Sequence, residues 1–310
     1  MQRRAFLRAG TVGLAGLALT VPAPLRADAA PHPIAWQARR RTEQPDGTWK
    51  IIEETASWAP RQTAVIICDM WDLHHCKNAT DRVAELAPHL NRFVVEARSR
   101  GAFIIHAPSS CLTPYEHLPA RRRAQEAPKA PNLPPEISSW CHRIPAEENG
   151  TYPIDQSDGG CDTPEPAQTE WSNWLKAQGR NPNAPWLRQI DVIEIRDEDA
   201  ISDSGVEIWN LLEHRQLPNV LLVGVHTNMC VLGRPFGLRR MVENGRPTML
   251  VRDLTDTMYN PKSWPHVDHF TGTDLIVEHI EKYVCPTTTS ASLLGGQPFR
   301  FRDDRRPRPT

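Results

Sequence analysis

Two side chains in this sequence stand where chemistry is easiest to perform. Cys230 follows the apolar run NVLLVGV (219–225) after a polar elbow, His226 to Met229, and so falls at the start of the next helix. Asp69 closes a second apolar run, TAVIIC (63–68). A thiol in the first turn of a helix meets unpaired backbone N–H groups and the positive end of the dipole, which favour thiolate. The same N–H groups can hold a developing oxyanion. A carboxylate close by can take the thiol proton and return it to a leaving amine or to water. A cysteine packed between helix and sheet would leave the same trace, and a carboxylate ending an apolar strand can be paired for purely structural reasons.

Other chemistry-bearing residues are less specific. Asp72, His74, His75 and Cys76 stand together in DLHHC (72–76), where His75 and its neighbours suit a pocket lining or a solvated turn. His106 ends a strand and could face a cleft, although a lone histidine there is more often a hydrogen-bonded structural residue. IDQSDGGCD (154–162) has three carboxylates around a glycine pair but lacks the spacing and terminal Glu of a calcium loop, which reads as a solvated turn. Together with Asp197, Glu198, Asp199 and Asp203 it leaves open an acidic pocket for a cation or an amine-bearing substrate.

The elements that must position these groups alternate. TAVIICDM is a strand covered on both faces, Leu90, Phe93, Val94 and Ala97 mark a helix with Pro88 in its first turn and Gly101 just past its end, and AFIIHAP (102–108) is the next strand. The pattern resumes with a strand at DVIEIRD (191–197), a helix over 205–217, the strand before Cys230, a helix interrupted by Pro235, a strand at TMLVRDL (248–254) and a helix over 273–284. Such alternation predicts an α/β fold with a mostly parallel sheet covered by helices on both faces. In these sheets reactive groups gather beyond the carboxyl ends of the strands, where strand order reverses. If the strands ending at Asp69 and Val225 are neighbours there, carboxylate and thiol face each other.

VIICDMWD followed by a β-α-β unit, and LLVGVHTNMCVLG after a helix, resemble the two signatures of the isochorismatase-like cysteine hydrolases, the superfamily that includes nicotinamidases and N-carbamoyl amidohydrolases. The resemblance spans roughly residues 61–285, and Gly-Val-x-Thr-x-x-Cys-Val (224–231) is its specific part. It implies a three-layer α/β/α, Rossmann-like domain with strand order 3-2-1-4-5. It also implies Cys230 as nucleophile, Asp69 as acid/base partner, and a cis peptide at Val225–His226 that shapes an oxyanion hole. The implied activity is hydrolysis of a small amide or related C–N bond. The family also carries a lysine at or after the third strand, whereas this chain has none from 177 to 261 and reads EIRDEDAISDSG there, with Asp197, Glu198 or Asp199 at the matching place. A like charge beside the thiol would raise its pKa. Either another cation substitutes, from Arg234, Arg196, His226 and Lys77, or hydrolysis is impaired and the scaffold binds a small molecule or cation. The Asp-x-His metal element of some relatives is missing from HAPSSCLTPYEH, so neither metal nor other cofactor is expected.

The first residues, MQRRAFLRAG and the Gly/Ala-rich stretch up to Ala27-Asp28-Ala29, read as a cleavable twin-arginine-type export signal (1–29), which places the mature protein in the periplasm. Taking Arg3, Arg4, Arg8, Arg26 and Asp28 from the 36 basic and 37 acidic side chains leaves a formal charge of −4. That balance offers no nucleic-acid or anionic-membrane surface and leaves a small-molecule substrate as the expected partner; relatives in the resembled family commonly form homo-oligomers. Residues 30–60 read as an extension and 61–286 as the domain, with a proline-rich insertion of ordered loops at about 108–190 and a solvated tail over 287–310. That insertion could instead mediate assembly. Seven cysteines include three in the insertion, Cys111, Cys141 and Cys161, two of which are expected to pair.

Overall fold

The protein is described by a computed structural model over residues 32–307; the export signal expected over 1–29 lies outside the described residues. The strands are β1 (Ile34–Glu43), β2 (Trp49–Trp58), β3 (Thr63–Cys68), β4 (Phe103–Ala107), β5 (Ala200–Ile201), β6 (Asn219–Val225), β7 (Thr248–Asp256) and β8 (Thr287–Thr288). The helices are α1 (Lys77–Ser99), α2 (Pro119–Gln125), α3 (Ala167–Ala177), α4 (Gly205–His214), α5 (Leu238–Glu243), α6 (His269–Tyr283) and α7 (Ala291–Leu294).

These strands form one sheet in the order β2-β1-β8-β7-β6-β3-β4-β5. Strands β3 to β8 run parallel, and β1 is antiparallel to both β2 and β8. The centre, β5-β4-β3-β6-β7, is the expected order 3-2-1-4-5. Period-two alternation divides the buried side chains between two cores. Ala64, Ile66 and Cys68 of β3 face α4, α5 and α6, while Val65 and Ile67 face α1 and α7.

Several expectations are corrected. The third strand is not DVIEIRD but Ala200–Ile201, paired with Ile105 and His106. Within 191–197 only Ile193 is buried, and Val192 is 45% exposed; a segment carrying Asp191, Glu194 and Asp197 cannot lie between two apolar layers, whereas Ala200 and Ile201 can. Helix α1 starts at Lys77, eleven residues before Pro88. Buried Ala79, Val83, Leu86 and Ala87 extend the apolar stripe backwards, and Pro88 lies on the exposed side, where water can serve the Ala84 carbonyl that lost its partner. Within the extension, residues 34–58 form a hairpin that continues the sheet. The end of the chain is packed as well. Phe301 is 9% exposed and stacks on Phe270, with Phe299 against it.

Pairing among the insertion cysteines does not occur either, and all seven cysteines are free. Cys111 Sγ donates to Pro108 O (3.1 Å) and Cys141 Sγ to Arg143 O (3.5 Å), each inside its own loop. Cys161 instead packs with Cys76. The insertion is otherwise as expected, long ordered loops with α2 and α3 as its α-helices.

Candidate active site

The site is set by how closely β3 and β6 approach. Cys68 lies opposite Gly224 in the parallel ladder, so Asp69 and His226 emerge side by side. Gly224 has φ +100, and any β-carbon there would collide with the Cys68 carbonyl oxygen. The chain then passes through a cis peptide at Val225–His226. The carbonyl of His226 accepts from Met229 N (3.0 Å) and Val231 N (3.1 Å), making Thr227–Val231 a single π-turn. Its framework is fixed by Thr227 Oγ1, which bonds Asp256 O (2.9 Å), and by Asn228, whose amide spans Met258 N and Met258 O, both at 2.9 Å. Arg234 N donates to Cys230 O (3.0 Å), after which Pro235 ends the helical path and α5 starts afresh.

Asp69 is fully buried and Cys230 is 8% exposed. One carboxylate oxygen of Asp69 accepts Ser109 N (2.8 Å) and the other accepts Arg234 Nε (3.1 Å). The Cys230 thiol lies near enough to feel both charges, and the Arg234 guanidinium lies 5.3 Å from the centre of the Trp140 ring. Burial pushes the Asp69 carboxyl up, against the Arg234 charge, which holds it down. Burial first and the Asp69 charge second push the Cys230 thiol well above its ordinary value, while Arg234 opposes both. The buried thiol and the buried carboxyl therefore lie together, with the Arg234 guanidinium opposing the effect of burial on both.

Of the candidate cations, Arg234 alone occupies this place. Lys77 pairs with Asp81 (2.6 Å), Arg196 with Glu194 (2.7 Å), and His226 is held down to about 3 by burial. The sign problem posed by EIRDEDAISDSG also disappears. Asp197 and Glu198 are exposed, and Asp199 turns to Arg98 (2.8 Å) and to His106 Nε2 (3.1 Å). Burial alone would raise Asp199, but these two partners hold its pKa below the usual range. His106 is fully buried, with Nδ1 against Gln189 Oε1 (3.0 Å), so it and Asp199 brace the β4–β5 edge.

His75 does stand near the site. His74 lies 4.1 Å from the His75 ring and 4.9 Å from the His226 ring, and Trp71 stacks on Trp186 at 4.4 Å. Burial lowers His74 and His75, so this wall of imidazoles and indoles is uncharged at neutral pH. The Nδ1 of His74 accepts Cys76 N (3.2 Å), and among the described residues no three His, Cys, Asp or Glu side chains converge on a point suited to a metal. The loop 154–162 is only partly a solvated turn, because Asp162 is bound bidentately by Arg82, which also pairs with the buried Asp256.

Sequence reasoning missed Ser109, Trp71, Trp140 and Trp186. Trp71, two residues after Asp69, was open to notice; Trp140 and Trp186 come from the insertion, whose path has no periodic signal. The insertion grips the nucleophile turn through Cys141 N to Gly233 O (2.7 Å) and Tyr152 Oη to Asn228 O (3.1 Å). Behind these contacts, Glu147 binds Arg239 (2.8 Å) and His279 (2.8 Å). A cavity of about 460 Å³ opens beside Trp140, Tyr152 and Met229, and neither Asp69 nor Cys230 lines it.

No protein-family model matches the chain, and no curated protein does. Solved structures do align with it. A cysteine hydrolase from Pseudomonas syringae pv. phaseolicola 1448A is 16% identical, with 76% of this chain and 92% of that chain covered and a TM-score of 0.44. An isochorismatase from Pseudomonas putida KT2440 is 14% identical over 76% and 91% of the two chains, TM-score 0.41. An isochorismatase family protein from Desulfovibrio vulgaris subsp. vulgaris str. Hildenborough is 13% identical over 74% and 96%, TM-score 0.39.

Proposed function

We propose that this chain is an exported cysteine hydrolase of the isochorismatase-like type that cleaves a small amide or related C–N bond. The observation that carries the reading is the buried Asp69 carboxylate, paired with the Arg234 guanidinium at 3.1 Å and near enough to the buried Cys230 thiol for its charge to act there.

In this reading the Cys230 sulfur attacks the substrate carbonyl as its proton passes to Asp69, and the oxyanion settles against the backbone amides at His226 and Cys230. Asp69 then gives the proton to the departing amine, leaving a thioester on Cys230. Water, deprotonated by Asp69, releases the acid and restores the thiol. Arg234 keeps its proton throughout, since a guanidinium does not deprotonate in proteins. Its work is electrostatic: it keeps Asp69 ionised in a buried place and favours the charge arriving on sulfur.

The test is covalent trapping. Intact-mass spectra of protein quenched during turnover of a panel of small primary amides and N-carbamoyl compounds are expected to show an acyl adduct on Cys230. Cys230→Ser should lose the adduct and the turnover while keeping the far-ultraviolet dichroism of the parent. Binding of these compounds with neither adduct nor turnover would instead favour a binding protein on the same scaffold.

A further inference from the structure

Cys76 and Cys161 have no part in the chemistry above, yet they pack into one small cluster with Ala79 and Met258. Cys76 is fully buried and immediately precedes the 23-residue α1, and Cys161, half-buried, belongs to the loop 154–162. Thr163 Oγ1 accepts Asn78 N (2.9 Å) and lies 3.2 Å from Cys76 Sγ, which also donates to Asp162 Oδ1 (3.7 Å). Gln168 Oε1 takes Cys161 Sγ (3.6 Å) and Lys77 N (3.4 Å), so one amide joins the Cys161 thiol to the residue after Cys76, and Arg82 pairs with Asp162. Each thiol shifts the other: Cys161 first, with Thr163, draws Cys76 below its ordinary value, and Cys76 holds Cys161 above it.

We propose that Cys76 and Cys161 are a redox-active dithiol that closes to a disulfide beside the candidate active site, with a small-molecule disulfide as oxidant. In the first step the accessible Cys161 sulfur gives its proton to water and attacks one sulfur of the reagent. That forms a mixed disulfide and releases one small thiolate. In the second, Cys76 loses its proton and attacks Cys161 Sγ; the protein S–S bond forms, the mixed S–S bond breaks, and the second small thiolate leaves. Two protein thiols are oxidised and one disulfide reagent is reduced to two thiols, which take up the two protons. The bond would join two segments that both reach the nucleophile turn: His74 lies against His226, and Gln156 Oε1 accepts Asn228 Nδ2 at 2.8 Å. This inference does not depend on the hydrolase reading.

The experiment uses the full chain, reduced and then incubated with oxidised glutathione. Remaining thiols are alkylated with iodoacetamide before proteolysis without reductant and mass spectrometry. The expected result is a peptide containing Cys76 joined to one containing Cys161, an intact mass lower by the two hydrogens lost, and the same cross-link in Cys141→Ser. Alkylation of both Cys76 and Cys161 after treatment, or a cross-link between other cysteines, overturns the proposal. Cys161→Ser should show no internal cross-link, and should that variant fail to fold, the peptide map of the parent protein still decides.

Discussion

Replacing Arg234 by glutamine removes the charge that is paired with Asp69 and acts on Cys230, while keeping a polar side chain of similar reach. The guanidinium lies 3.1 Å from the carboxylate oxygen. Two such charges with centres about 4 Å apart interact by about 4 kcal/mol at an effective dielectric constant near 20. The Arg234 side chain is 23% exposed, so solvent screens part of this; roughly 3 kcal/mol, or about two pKa units, remains. Burial already holds Asp69 above its ordinary value, and loss of the Arg234 charge raises it further, so that less of it is ionised to take the thiol proton. Turnover should fall by about 100-fold. Alkylation of Cys230 by iodoacetamide, followed by intact mass across a pH series, should shift its midpoint upward by about one unit or more. Arg234→Lys should recover much of that shift. Asp199→Asn is the control, because Asp199 is bonded to Arg98 and His106: it should destabilise the fold by about 3 kcal/mol yet leave the Cys230 midpoint in place. An Arg234→Gln midpoint equal to that of the parent, or an Asp199→Asn midpoint that moves, would refute the assignment of Arg234 as the working cation.

Two further outcomes follow from the structure and the sequence. Burial alone would raise Glu147, but its bonds to His279 and Arg239 draw it down to about 2 from an unfolded value of 4.5, so its contribution is complete above the unfolded value and is lost as pH falls toward the folded one. Glu147→Gln should therefore remove roughly 3 kcal/mol from urea-unfolding stability at neutral pH and flatten the acid limb, and an acid limb identical to the parent's would contradict this. Export with cleavage after Ala29 predicts that amino-terminal sequencing of periplasmic protein starts at Ala30; mature protein beginning at Met1 would dismiss it.

The central sheet was legible because its signals are local and strong. TAVIIC and NVLLVGV are apolar on both faces, the pattern of covered central strands, and the residues ending them meet once those strands are neighbours. Cys230 and Asp69 followed from that pattern together with the family resemblance, and Arg234 was one of four cations named in place of the family's lysine. The position of β5 was not legible, since two buried residues leave no period, and VIEI imitated a strand through β-branched content while its acidic neighbours kept it out of the sheet. The charge beside the thiol was misjudged for a related reason. Asp199 is near in sequence to the third strand, but its partner Arg98 lies on α1, and only three-dimensional packing shows that the carboxylate turns that way. Phe299 and Phe301 show the same limit, because two aromatic residues among arginines give no hint that Phe270 waits for them.

The insertion holds the nucleophile turn largely through main-chain atoms on the turn's side: Gly233 O receives Cys141 N, and Asn228 O receives Tyr152 Oη. Carbonyl groups are present whatever the side chains are, so these handholds survive substitution on the turn. Trp140 and Trp186 are meanwhile carried on a segment that contributes no strand to the sheet. Side chains on that segment can therefore change without altering the β3–β6 ladder that ends at Asp69 and leads to Cys230.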